Sequence, residues 1–401
     1  MLIRLICFEI RKMIGNRFFL IVFAVLLVVS GILSFGSFEA PGQGRIVAGF
    51  MLRSYEALES FTEEERQVFT DELVEIFGER VLHDRVLLMT DMASVDGMSL
   101  PSGIPTELTP MEIADAMIVI NTENETQTDN LKRIQDAAKA FGRKALQEGD
   151  DYEVRRNLNI IRNYRRPRKA RTVPIWGWDQ FLLETSFTTM IIVLLLTYMM
   201  VSGIFSQERD QKTKILLKTG RNGHGLTELA KYIAAAVCAA VVTLVFMGIS
   251  LGMFYLNHGL CGGRESVMGI EELAACPFKV TVIGYFLITL LFDVAAAVTL
   301  GILFAAVSAL SKNSIISFGI NIALLGILIL PIFVSPSKEL FMGPLGILRS
   351  EKYLRSYYTA NVMKFPVLWC YVHMMIGALA AAGMVVLAHL EEEKWSFRLK
   401  N

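Results

Sequence analysis

Six stretches of the chain run almost free of charge for about the length of a bilayer crossing: residues 18–36, 181–205, 230–255, 280–308, 315–335 and 366–389. A membrane-spanning helix needs ~20 predominantly apolar residues, so each predicts a span. The first is longer than the apolar core of a secretory signal, and no small-x-small cleavage site follows it, so it reads as a retained span. Between the first two spans, over 37–177, the pattern becomes amphipathic. Thr62-Glu-Glu-Glu65 is a capping box that opens a run with Val68, Leu73, Ile76 and Phe77. Thr109-Pro-Met-Glu112 repeats the box with proline at the first helical position. Leu131, Ile134, Ala138, Phe141 and Leu146 predict a third helix, and Val154, Leu158 and Ile161 a fourth, with the Pro- and Gly-rich stretch 97–110 as an internal loop. The pattern as a whole predicts an all-α polytopic membrane protein of six transmembrane helices, with a mainly helical domain inserted between the first and second.

Composition supports the membrane reading. Of 401 residues, 53% are hydrophobic and only 19% charged, against ~25% charged in ordinary soluble domains. Net charge is zero, so bulk electrostatics names no partner. The distribution of cations predicts orientation. Arg4, Arg11, Lys12 and Arg17 precede the first span. Arg209, Lys212, Lys214, Lys218 and Arg221 lie in the polar segment 206–229, Lys312 joins the fourth and fifth spans, and Lys394, Arg398 and Lys400 lie in the tail 390–401. Cytoplasmic ends are enriched in Lys and Arg, which predicts N-in and C-in. The 37–177 domain, the 256–279 loop and the apolar, Gly- and Pro-broken 336–365 segment, read as a re-entrant or interfacial hairpin, are then external. The cluster Arg165, Arg166, Arg168, Lys169 and Arg171 argues for the opposite orientation. It is outweighed by three agreeing segments and by Trp176 and Trp178, which fit an interfacial belt. Tyr164 is the only aromatic there, so lipid phosphate, an anionic substrate or the acidic helix near Glu63 fits it better than nucleic acid.

Chemistry-bearing motifs are few. The sequence has no phosphate-binding G-x-x-x-x-G-K-[ST], no H-E-x-x-H and no zinc-spaced cysteine set, so no metal site, cofactor or catalytic group is expected in this chain. Asp293, Asn321 and His373 fall inside spans, where polar groups are costly. They read either as a polar pathway or as hydrogen-bonded packing contacts, the latter favoured. An intramembrane enzyme using Asp293 and His373 is a minor alternative. Cys261 and Cys276 share the 256–279 loop and read either as a disulfide or as two free thiols, according to compartment.

The polar segment after the second span carries a resemblance. Glu208, Thr213, Leu216, Leu217, Arg221 and Lys231 follow one another in an order that resembles type-2 ABC transporter permeases. This chain has Lys212 where that family commonly has glycine, and Gly220 where proline is common. The six-span layout and the amphipathic stretch 2–17, with Ile3, Ile6, Ile10 and Met13 on one face and Arg4 and Arg11 on another, are similar to the same family. The resemblance implies an exporter permease subunit in a bacterial cell membrane, paired with a second copy or paralogue. Its energy would come from a separate cytoplasmic ABC ATPase dimer that holds ATP and Mg. An amphipathic or hydrophobic compound, such as an antimicrobial peptide or a drug, is the implied cargo. A coupling helix over 206–219 would dock on the ATPase, with Ile215, Leu216 and Leu217 as apolar anchor and Glu208, Arg209 and Lys212 as a charged rim. The alternative is an ABC-linked sensing or mechanotransmission protein acting through its external domain.

Overall fold

The computed structural model describes residues 2–15, 17–36, 53–54, 57, 61–78, 109–165, 177–213, 225–260, 262–334 and 354–398. The chain opens with α1 (Leu2–Ile14) and α2 (Arg17–Gly36), which meet at a bend of 73°. Gly15 permits the bend, because a Cβ there would stand 2.8 Å from the Arg11 carbonyl oxygen.

The inserted domain holds α3 (Glu63–Phe77), α4 (Pro110–Glu148) and α5 (Asp151–Tyr164). Both predicted capping boxes form, at Thr62 with Glu65 and at Thr109 with Glu112. The second and third predicted helices are one helix of 39 residues. The polar interval between them contains no glycine or proline, so nothing in it ends the helix. Gly149, at φ 72°, ends α4, and the Asp150 carboxylate caps the start of α5. The two helices then pack back along one another. Leu131, Ala138 and Ala145 are buried on α4, as are Asn157, Ile160 and Tyr164 on α5. The predicted inward residues Val68, Ile76, Phe141, Leu146 and Leu158 are instead exposed; on α4 the buried positions Leu131, Ala138 and Ala145 repeat every seventh residue and lie to one side of Phe141 and Leu146.

The second apolar stretch begins with a short turn at Trp178–Gln180 and a π-helical turn at Phe181–Thr185, then runs as α6 (Ser186–Val201). It opens over residues 202–205 and resumes as α7 (Ser206–Asp210). The remaining long helices are α8 (Gly225–His258), α9 (Val282–Leu310), α10 (Ser314–Val334) and α11 (Trp369–Arg398). Among the described residues, four helical runs are long and apolar enough to cross a membrane: Trp178–Asp210, Gly225–Asn257, Val282–Leu310 and Trp369–Glu391. The bent pair α1 and α2 adds a fifth, and Ser314–Ile329 is a shorter apolar helix. The molecule is thus a helical, multi-pass membrane protein.

The fold is not purely helical. Strands β1 (Thr359–Val362) and β2 (Phe365–Leu368) form an antiparallel hairpin leading directly into α11. The sequence reading had placed this stretch in the 336–365 segment and the start of the sixth span. Its turn residues, Met363 and Lys364, both adopt positive φ without the glycine or asparagine that normally marks such a turn. Residues 335–353, most of the predicted re-entrant segment, lie outside the described residues.

Among the described residues two apolar clusters organise the packing. The larger joins α6, α8 and α9 through Val193, Leu196, Ala235, Ala239, Leu300 and Phe304. Gly301 marks their closest approach: a Cβ there would lie 3.2 Å from Ala239 Cβ and 3.5 Å from Thr197 Cγ2. Buried hydroxyls add a polar stitch. Ser250 lies 3.1 Å from Ser34 and 2.9 Å from Thr189, which links α8 to α2 and α6.

The second cluster lies at the opposite end of the bundle. Phe181 stacks on Phe254 at 4.8 Å, and Trp178 sits 4.6 Å from the same ring. Leu131, Ala138, Ile160 and Tyr164 of the inserted domain join it. The domain is also held by directed bonds. The Tyr164 hydroxyl donates to the Ala275 carbonyl and the Asn163 amide to that of Pro277, while the Tyr152 hydroxyl reaches the Thr359 carbonyl. Lys364 pairs with Asp151 at 3.1 Å, and Arg155 lies 4.6 Å over the Phe365 ring.

Gly301→Val should overpack the α6–α8–α9 contact and lower stability by roughly 1–3 kcal/mol. Gly319→Ala, where a Cβ meets nothing within 4 Å, should not. Thermal unfolding of the two variants in detergent measures the difference.

Candidate functional site

The break between α6 and α7 is the origin of the site. A helix that stops inside an apolar bundle leaves backbone donors unpaired. Here Ser308 of α9 meets them, its hydroxyl accepting from the amides of Phe205 and Ser206, each at 3.1 Å. The Ser317 hydroxyl of α10 donates to the Ser202 carbonyl on the other side of the gap. Residues 206–210 are thereby held in a fixed position at the end of the bundle.

From that position three consecutive charged side chains reach different helices. Glu208 is buried, and its carboxylate accepts from Lys231 near the start of α8 and from Lys12 of α1, the latter at 2.8 Å. Lys231 is equally buried and lies 4.8 Å from the Phe205 ring centroid, a cation–π contact. Arg209 donates to the carbonyls of Ala309 and Ser311 at the C-terminal end of α9, where a cation meets the negative end of the helix. Asp210 accepts from the Ser314 amide at 3.0 Å and from its hydroxyl, so an anion sits at the N-terminal end of α10. Glu9 of α1 is buried in the same region. One short helix therefore ties together α1, α8, α9 and α10.

This arrangement corrects the predicted coupling helix in two respects. It is not continuous over 206–219: the chain turns at Gln211 and Lys212, where Lys212 has φ 56°. Glu208 and Arg209 are also not an outward rim, since both are spent on contacts inside the chain. Lys212 is exposed, and the Thr213 hydroxyl donates to the Glu208 carbonyl at 3.3 Å. Ile215, Leu216, Leu217 and Arg221 lie outside the described residues. Asp210 was missed. Its charge complements a helix start, but no spacing rule links residue 210 to residue 314.

The other predicted sites lie on different elements. Asp293 is buried on α9 and His373 on α11, where the His373 Nδ1–H donates to the Trp369 carbonyl at 2.9 Å. The Asn321 amide donates to the Phe304 carbonyl at 3.2 Å. That carbonyl lies roughly 16 Å along α9 from Asp293, at 1.5 Å per residue. Asn321 thus makes the expected packing contact, away from Asp293. Among the described residues no group of His, Cys, Asp and Glu could hold a metal ion. Cys276 is a free, buried thiol, and burial pushes it up to about 12. Cys261, its counterpart in the predicted disulfide alternative, lies outside the described residues. Arg165 ends α5 and is exposed, while Arg166, Arg168, Lys169 and Arg171 also lie outside them.

Comparison of the chain with protein-family models, with curated proteins and with solved structures gave no match.

Glu208→Ala should cost roughly 3–5 kcal/mol, because it leaves Lys231 buried without its carboxylate. Lys12→Ala should cost much less, since the Lys12 side chain is 31% exposed. Equal losses for the two in thermal unfolding would refute the burial order described here.

Proposed function

We propose that this chain is the permease subunit of an ATP-driven exporter, working with a separate ABC ATPase dimer and a second permease copy or paralogue. The membrane is a bacterial cell membrane, with the α7 end in the cytoplasm and the inserted domain outside. Six spans cross it, α2 and α10 included. The cargo is an amphipathic or hydrophobic compound such as an antimicrobial peptide or a drug.

One observation carries this reading. The segment in which the sequence resembles the ATPase-docking region of type-2 permeases leaves the bundle directly from α7, and α7 is bonded to four other helices. A displacement applied to residues 211–224 would reach α1, α8, α9 and α10 through Glu208, Arg209 and Asp210. A plain topogenic loop needs only its positive charge and no such wiring. The division of labour follows: the exposed Gln211 and Lys212 contact the ATPase, and the bonded triad Glu208, Arg209 and Asp210 transmits.

A second reading, mechanical signalling through the inserted domain, has its own support. Tyr164, Asn163 and Tyr152 bond the domain to the 262–281 loop and to the hairpin that enters α11. Motion of the domain would therefore act on a candidate span without any transport path.

Coexpression with the ABC ATPases of the source organism tests the proposal. A complex with stimulated ATP hydrolysis is expected. Lys212→Glu should weaken ATPase binding by about tenfold, as for loss of a contact worth ~1.4 kcal/mol. Glu208→Gln should leave binding intact and reduce stimulation. Absence of any complex sinks the exporter reading. Deleting residues 45–170 separates the alternatives: lost signalling with export intact supports the sensor, and altered cargo range supports the exporter.

A further inference from the structure

At the α7 end of the bundle a cavity of about 150 Å³ opens between α1, α2, α6 and α10. Its wall is mainly apolar, with Met13, Met199, Met200 and Phe318 prominent, and two polar side chains reach it, Lys12 and Gln207. Among the described residues no carboxylate lines it. Lys12 gives one N–H to Glu208 Oε1 at 2.8 Å, and an ammonium has three to give. Gln207 folds back over Gly203, with its Nε2 2.6 Å from where a Cβ at that glycine would stand. Only glycine lets the amide settle there. Thioethers are soft and adapt to ligands of varied shape.

The location matters as much as the lining. The cavity sits where α1 turns 73° away from the apolar helix α2. If α2 runs through the hydrocarbon, α1 lies near the plane of the lipid head groups, with Arg4 and Arg11 on its exposed face. One edge of the cavity is then cationic and at head-group level, and the rest is apolar and deeper.

We propose that this cavity binds an anionic phospholipid of the surrounding leaflet, its phosphate at Lys12 and Gln207 and part of an acyl chain against the methionines and Phe318. A zwitterionic lipid satisfies the apolar wall equally but brings a cation toward Lys12 and the exposed arginines. The bound phosphate competes with Glu208 for the Lys12 ammonium, and Glu208 keeps Lys231. Lipid occupancy therefore acts on the link between α1 and the α7 hub without dismantling it. The inference rests on the membrane character of the helices and not on the ATPase reading, so either can fail alone.

Native mass spectrometry of the full chain in mild detergent tests it, with dioleoylphosphatidylglycerol and dioleoylphosphatidylcholine as probes. The unaltered chain should retain the phosphatidylglycerol preferentially. Lys12→Gln should remove about a fivefold preference, the effect of one lysine at an anionic surface. Met199→Trp, which fills the slot and leaves the Lys12–Glu208 pair in place, should lower retention of both lipids. Equal retention of the two lipids by the unaltered chain overturns the proposal, as does wild-type retention of phosphatidylglycerol by both variants. Displacement of the lipid by inorganic phosphate, with Met199→Trp without effect, would assign the site to a free anion and overturn it too.

Discussion

A carboxylate buried between two ammonium groups is the constraint on which this end of the molecule depends. Removing Glu208 and Lys231 from water costs several kcal/mol per ion before any attraction is counted. That cost is offset only if both partners stay in contact and keep their hydrogen bonds. The start of α8 and the short helix α7 must therefore meet at one point, with α1 joined to them through the part-exposed Lys12. An apolar contact would tolerate sliding between α7 and α8, whereas the buried Glu208–Lys231 pair specifies their position.

The two neighbours of Glu208 use the same short helix differently. Arg209 and Asp210 address helix ends, where the last carbonyls and first amides of any helix lack intrahelical partners. Arg209 satisfies the end of α9 and Asp210 the start of α10, so the sharp connection over residues 311–313 is supported from outside itself. Charge, dipole and hydrogen bonding act in the same direction at both places. At the far end of the bundle the means are different: stacked aromatic rings and tyrosine hydroxyls fasten the inserted domain over the loop and hairpin.

The elements were largely legible in the sequence, because long apolar runs and capping boxes are local signals. Thr62 and Thr109 begin helices as their spacing requires, and six long helices, α2, α6, α8, α9, α10 and α11, coincide with the six apolar stretches. What could not be read was partnership. Glu208 and Lys231 stood out as letters of a degenerate pattern, yet nothing local shows that a glutamate before a polar loop points inward. The β-hairpin was hidden for a related reason, since Met363 and Lys364 give no turn signal and the Phe365–Leu368 strand merges into an apolar run. Of the polar residues inside the predicted spans, for which packing was the favoured reading, Asn321 and His373 each bond a backbone carbonyl, a partner that no spacing in the sequence reveals.

The gap at residues 202–205 has a mechanical consequence. The amides of Phe205 and Ser206 are satisfied by a hydroxyl on α9 and not by the preceding turn of their own helix. A hydrogen bond weakens steeply with angle and distance, and a buried donor stripped of its acceptor costs roughly 1–3 kcal/mol. Sliding α6 against α9 by an ångström or two would strip both donors together. An ion pair such as Lys12–Glu208 has no such sharp threshold, because its energy falls only inversely with separation. The bundle thus contains a rigid seam, α6 with α9, and a compliant one, α1 with α7, and the two meet within three residues of chain.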